Sequence, residues 1–220
     1  MLLWVGRTGG SDRVCKDPIG FLLFAASVEG RSFRTVLVDA EDNRSFLGID
    51  EWYGGRVDYR CLLAPQDVAE LYREAAASGG AWISTSRNEG MPMCLLEAWA
   101  CGCPVVVPDV PGFDMVAHGV NGLKYRRADG ICGIGRCVAS LSDPHLRQRM
   151  VCEGLNLIAT RYSPPVVARA YLSLYDEVLR ERQFPRGRLH SLRHAALKFA
   201  AWAAGERTRR LSQPQPRTKR

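Results

Sequence analysis

Three consecutive valines, Val105-Val106-Val107, constrain this chain more than any other feature. A strand turns alternate side chains to opposite faces, so an unbroken apolar β-branched run needs cover on both sides. That cover is natural at the centre of a parallel sheet packed between two layers of helices. The rest of the chain alternates accordingly. Leu2 to Val5, Thr35 to Val38, Tyr59 to Leu63, Ala81 to Ser84, Pro104 to Val107 and Leu123 to Tyr125 read as strands. Between them, Pro18–Val28, Gln66–Ala77 and Pro92–Cys101 read as helices, the second with Val68, Leu71, Tyr72 and Ala75 at helical spacing and the third with Pro92 in its first turn. From Ile131 to Arg182 the pattern is helical, with breaks near Asp143-Pro144 and Ser163-Pro164-Pro165. The expected class is α/β, a parallel sheet flanked by helices with a helical C-terminal extension.

With 46% hydrophobic and 24% charged residues in 220, the chain has the composition of a folded domain and not of a disordered one. No apolar run reaches the ~18 residues of a membrane span, and the start lacks the basic region and apolar length of a secretory signal. A cytoplasmic location is the expectation. Twelve of the 30 basic residues and only two of the 23 acidic ones fall between Arg180 and Arg220, so that stretch is +10 and the rest −3. Such a tail suits an anionic partner. The eight cysteines include no C-x-x-C pair, and the expectation is free thiols, buried as small hydrophobes in a reducing compartment, without a metal.

In open parallel sheets, ligands bind beyond the carboxyl ends of the strands. Three segments with chemical potential fall there. Ser86-Arg87-Asn88-Glu89-Gly90-Met91-Pro92-Met93 follows the fourth strand, and Glu97 follows within an apolar helix. A carboxylate among Leu95, Leu96, Ala98 and Trp99 is costly to bury unless satisfied. The free N–H groups at the helix start, near Met93 and Cys94, suit an anion, and Gly90 permits close backbone approach. Two carboxylates with a phosphate site between them match sugar hydroxyls, diphosphate and ribose hydroxyls in that order. The same residues also suit a capped helix with Glu97 reaching solvent. Gly6-Arg7 followed by Lys16 places two cations near a strand end, as a diphosphate requires, although loop cations are often merely solvated. Asp109-Val110-Pro111-Gly112-Phe113-Asp114 is a turn with carboxylates after the valine strand.

Taken together, Val5-Gly6-Arg7, Lys16-Asp17-Pro18, Leu71-Tyr72-Arg73-Glu74-Ala75, Ser86 to Pro92, Leu96-Glu97-Ala98-Trp99-Ala100-Cys101-Gly102-Cys103-Pro104-Val105-Val106, Gly112 and Asn121-Gly122-Leu123 resemble the C-terminal, donor-binding half of a GT-B glycosyltransferase of retaining family 4, also called group 1. The resemblance covers residues 2–180. It implies a Rossmann-like nucleotide-sugar-binding domain over 1–183; beyond it, charge and spacing read 184–220 as a basic amphipathic helix with a disordered tail marked by Gln213-Pro214-Gln215-Pro216. The resemblance implies that Arg7 and Lys16 hold the donor diphosphate and stabilise its departure. Glu89 would hydrogen-bond the donor sugar. Backbone around Gly6, Gly90, Met91 and Met93 would line sugar and phosphate, Leu96 would lie near the ribose, and Glu97 would accept its hydroxyls. Transfer would retain anomeric configuration without a metal or other cofactor, by positioning and electrostatic stabilisation.

The sequence departs from the family at several points. Val38-Asp39-Ala40-Glu41-Asp42 puts acids where nucleotide would lie, and they would repel phosphate if they faced it. Arg7 and Lys16 are further apart than usual, through Gly9-Gly10-Ser11-Asp12, and Asp114 stands where Glu is common. Met1 opens the donor half, so an acceptor-binding domain is expected from a separate chain, unless the chain is a fragment or a non-catalytic nucleotide-sugar binder. In residues 186–204, Leu189, Leu192, Ala195, Ala196, Phe199, Ala200, Trp202 and Ala203 share one arc of about 160° on an ideal helix. That face suits the inner surface of an anionic membrane, for an enzyme of envelope polysaccharide, or packing against a protein surface. Nucleic acid is disfavoured, because no basic groove interleaved with aromatics accompanies it.

Overall fold

The computed structural model describes residues 1–10 and 12–180. It resolves into two units, Met1–Val167 and Ala168–Arg220. The proposed amphipathic helix and tail over 184–220 lie outside the described residues.

The first unit holds one six-stranded sheet: β1 (Leu2–Gly6), β2 (Thr35–Asp39), β3 (Val57–Cys61), β4 (Ala81–Ile83), β5 (Val105–Pro108) and β6 (Leu123–Tyr125), in the order β3-β2-β1-β4-β5-β6. Every pairing is parallel, with Leu2 opposite Thr35 on one side and Ala81 on the other. The chain therefore lays down β1 to β3 in one direction and resumes on the far side of β1. This reversal opens a crevice at the carboxyl ends of β1 and β4.

Two apolar layers cover the sheet. Leu2, Trp4, Leu37, Ile83 and Val106 pack on one face with Phe21 and Phe24 of α2 (Pro18–Ala26) and Ile134 of α6 (Gly130–Ser140). Leu3, Val36, Val38, Val105 and Val107 pack on the other with Leu71 and Tyr72 of α4 (Pro65–Ala77) and Leu95 and Trp99 of α5 (Met93–Ala100). The three valines thus split between the layers, Val106 against its neighbours, and all are fully buried.

Two short helices were not expected from the pattern. α1 (Asp12–Lys16) and α3 (Ile49–Trp52) are one turn each, and α1 buries no residue, so neither carries an apolar period. β3 starts two residues before the expected Tyr59 and ends two before Leu63, where Leu62 takes a positive φ of 55°. Pro92 is the N-cap of α5 and not a residue of its first turn. α7 (Pro144–Leu157) begins at the anticipated break, with Asp143 accepting the His145 N–H at 2.9 Å. Its end winds into a π-turn, Ile158–Tyr162, before α8 (Pro164–Arg180). Within the second unit, the Tyr171 and Tyr175 rings of α8 lie 6.2 Å apart. Among the described residues, no helix is long and apolar enough to cross a membrane.

Candidate functional site

A cavity of about 720 Å³ opens at the crevice. Val5, Gly6 and Arg7 enter it from the end of β1, Asp12 and Lys16 from α1, Val68, Ala69 and Tyr72 from α4, and Met91, Met93, Cys94, Glu97 and Cys101 from α5 and the loop before it. The long Arg7–Lys16 spacing is absorbed by α1, whose last residue is Lys16, so both cations reach the same cavity. Arg7 is largely exposed, with Asp12 at 3.9 Å. Lys16 Nζ lies 2.7 and 2.8 Å from the two oxygens of Glu89. Ser86 Oγ donates to the same Glu89 carboxylate at 2.7 Å.

The α5 N-terminus supplies what an anion needs. Leu95 N–H is bonded to Pro92 O, whereas the N–H groups of Met93 and Cys94 take no partner among the described residues. Glu97 is exposed on the cavity side of α5, and the expected burial cost does not arise. Leu95, Ala98 and Trp99 face the core instead, as a 3.6-residue period dictates. Tyr72 was expected only as a core residue. Its ring is buried, but its hydroxyl donates to Glu97 Oε2 at 3.3 Å. Burial raises the Tyr72 pKa well above its usual value, so the group remains a donor. Nothing in the sequence points to this bond, since its partners are 25 residues apart.

Glu89, Gly90 and Leu96 do not line the cavity. Glu89 meets it through Lys16. Gly90 is exposed, and a Cβ there would touch nothing. Leu96 is half-buried against the apolar layer. Asp39 is buried, and it lines a smaller pocket that adjoins the cavity at Val5, Gly6 and Val68. It accepts from Thr8 N–H at 3.2 Å, from Thr8 Oγ1, from Asn43 at 3.1 Å and from the Tyr59 hydroxyl at 3.1 Å. These bonds tie the end of β2 to the loops after β1 and β2 and to β3. Glu41 and Asp42 are exposed. Asp114 accepts the Gly112 N–H at 3.2 Å, within its own turn.

Two further devices hold the cations in place. Asp17 adopts a left-handed φ of 49° between α1 and α2. Its carboxylate receives Arg127, from the turn after β6, at 2.9 Å, and Arg87 lies 3.4 Å away. Thr85 Oγ1 sits at 2.7 Å from Asp17 O and 3.2 Å from Lys16 O, and accepts from Trp4 Nε1 at 3.1 Å. Arg127 also donates to Thr85 O at 2.8 Å. The second device is Gly112, at φ 91°, where an added Cβ would stand 2.2 Å from Glu89 O. Glu89 N–H donates to Pro111 O at 3.1 Å in the same crossing. Gly112→Ala is expected to cost about 1–3 kcal/mol through overpacking, because the Glu89 backbone must give way. Thermal denaturation of the variant checks it.

All eight cysteines are free; Cys103 and Cys137 are buried, whereas Cys132 and Cys152 are exposed, so the expected burial does not extend to those two. Burial pushes the Cys94 thiol up to about 11 and the Cys103 thiol up to about 12, which keeps both protonated near neutrality. Iodoacetamide at pH 8 is expected to modify Cys132 and Cys152 first and Cys94 and Cys103 last, by peptide mass spectrometry. Early labelling of Cys94 would contradict the placement of its side chain. Among the described residues, no three His, Cys, Asp or Glu side chains gather as a metal site.

Residues 51–142 match the family model for glycosyl transferases group 1. The N,N'-diacetylbacillosaminyl-diphospho-undecaprenol alpha-1,3-N-acetylgalactosaminyltransferase of Campylobacter jejuni is 29% identical over 147 residues, which are 66% of this chain and 37% of that relative. The chain thus spans little more than a third of that protein's length. The C-terminal domain of a glycosyl transferase group 1 family protein (LpcC) from Francisella tularensis superposes with a TM-score of 0.58 at 19% identity, over 74% of this chain and 86% of that domain. Anabaena HepE, solved with UDP and glucose, gives a TM-score of 0.63 at 17% identity, over 80% of this chain and 48% of its own.

Proposed function

We propose, from the premise that this chain carries a glycosyl transferases group 1 domain of the GT-B fold, that the crevice binds a nucleoside diphosphate sugar and serves sugar transfer to an acceptor with retention of configuration. One observation carries the reading. Two cations, the open N-terminus of α5 and the Glu97 carboxylate line a single 720 Å³ cavity at the sheet's reversal point.

Arg7 and Lys16 supply positive charge to the diphosphate, which gains negative charge as the glycosidic bond breaks. The Met93 and Cys94 N–H groups add the partial charge of the helix end. Glu97, held by Tyr72, accepts the ribose hydroxyls. The apolar wall of Val68, Ala69 and Ala100 accommodates the base. Glu89, with Met91 and Gly90 beside it, receives the sugar. Catalysis is positioning and charge stabilisation, with the cations of this chain in the place a metal would take. The HepE complex with UDP supports a uridine nucleotide as the first candidate donor. The Campylobacter relative transfers a sugar to a diphospho-undecaprenol-linked one, which supports a lipid-linked acceptor.

Calorimetric titration with UDP, GDP and ADP tests the reading, alongside Glu97→Ala. Saturable binding to one nucleotide, weakened in the variant, is the expected result. A folded protein that binds none of the three overturns it.

A further inference from the structure

Glu89 is assigned to the donor sugar, yet its oxygens are already occupied. Lys16 Nζ approaches both, at 2.7 and 2.8 Å, and Ser86 Oγ takes Oε1 at 2.7 Å. The Glu89 side chain is only 10% exposed and that of Lys16 27%. Lys16 lines the cavity and Glu89 does not. The diphosphate-binding ammonium is therefore covered from behind by a carboxylate before any ligand arrives.

An incoming diphosphate meets a Lys16 whose ammonium Glu89 already holds. An ammonium has three donors, and two of them point at one carboxylate here. Once Lys16 turns to phosphate, Glu89 keeps Ser86 and is otherwise a nearly buried anion without a partner, which is costly. Sugar hydroxyls can fill the vacated positions, and a bare diphosphate cannot. We infer that donor recognition here is an exchange of partners: the diphosphate takes Lys16 from Glu89, and donor-sugar hydroxyls replace Lys16 on the freed carboxylate. Glu89 is thereby a specificity-determining residue that favours the sugar-bearing donor over the spent nucleoside diphosphate. After transfer, it reclaims Lys16 and helps expel the product. This inference rests on the proposed function.

The probe is inorganic pyrophosphate, which carries the charge but neither base nor sugar. It is titrated into the full chain as wild type, Glu89→Gln, Glu89→Ala and Lys16→Ala, each first shown to melt cooperatively. Glu89→Gln keeps the shape and the Ser86 acceptor while removing the competing charge, and Glu89→Ala removes the competitor altogether. Both are expected to bind pyrophosphate more tightly than wild type, on the order of tenfold, and Lys16→Ala more weakly. Weaker binding in Lys16→Ala with unchanged or weaker binding in both Glu89 variants overturns the exchange and leaves the donor site standing. That pattern would mean Lys16 bridges carboxylate and phosphate together. Binding that is indifferent to Lys16, or absent from every variant, overturns the donor reading and the exchange with it.

Discussion

Replacing Trp99 by alanine is expected to destabilise the Met1–Val167 unit by about 3–5 kcal/mol. Trp99 is among the largest fully buried side chains and is 1% exposed. Its Nε1 donates to Asn121 O at 2.9 Å, joining α5 to the turn before β6. α7 approaches it so closely at Gly154 that a Cβ there would lie 2.5 Å from the ring. Alanine would leave a cavity that neither helix can readily fill and an unpaired carbonyl beside it. A domain with about 5–15 kcal/mol of stability would lose a large share of it. Urea denaturation measures the change. Trp52→Ala is the control, since Trp52 is 76% exposed, and about 0.5 kcal/mol or less is expected there. Equal losses in the two variants would refute the packing described for α5.

Lys16→Ala is expected to raise the Kd for the bound nucleoside diphosphate about 10- to 100-fold. The substitution removes a charged donor from the cavity and uncovers the Glu89 anion behind it. It also leaves Glu89 with Ser86 alone, so a stability loss of about 1–3 kcal/mol accompanies it. Arg7→Ala separates the two effects. Arg7 has only a loose 3.9 Å pairing with Asp12 and a side chain 68% exposed. Its removal is expected to weaken nucleotide binding while leaving the melting temperature nearly unchanged. Titrations well below the transition temperature, paired with melting curves, read both quantities. Normal nucleotide affinity in folded Lys16→Ala would remove Lys16 from the site.

What was legible in the sequence follows from range. The valine strand and the helical face of α4 are set by neighbours a few residues away, so periodicity reveals them. Glu97 was legible too: counting 3.6 residues from Leu95 through Ala98 and Trp99 leaves it on the open side, although composition alone suggested a buried charge. α1 was not legible, because five residues without a buried side chain carry no pattern. The bonding of Asp39 was not legible, because Thr8 and Tyr59 lie 31 and 20 residues from it and reach it only in the fold. The Tyr72–Glu97 bond and the Asp17–Arg127 pair lie 25 and 110 residues apart and leave no local trace. The motif carried Arg7, Lys16, Met91, Met93 and Glu97 to one cavity, but left Glu89, Gly90 and Leu96 outside its lining, Glu89 reaching it only through Lys16.

The hydroxyl of Thr85 has a thermodynamic consequence. It meets Trp4 of β1 and the carbonyls of Lys16 and Asp17, while Arg127 binds the carbonyl of the same residue. The peptide bearing Lys16 is thus anchored to the sheet itself, and its conformational entropy is surrendered when the domain folds. A ligand arriving later has only the lysine side chain to immobilise, about 2 kcal/mol at most on common scales, against a further 1–2 kcal/mol for each residue of a loop that had to be ordered as well.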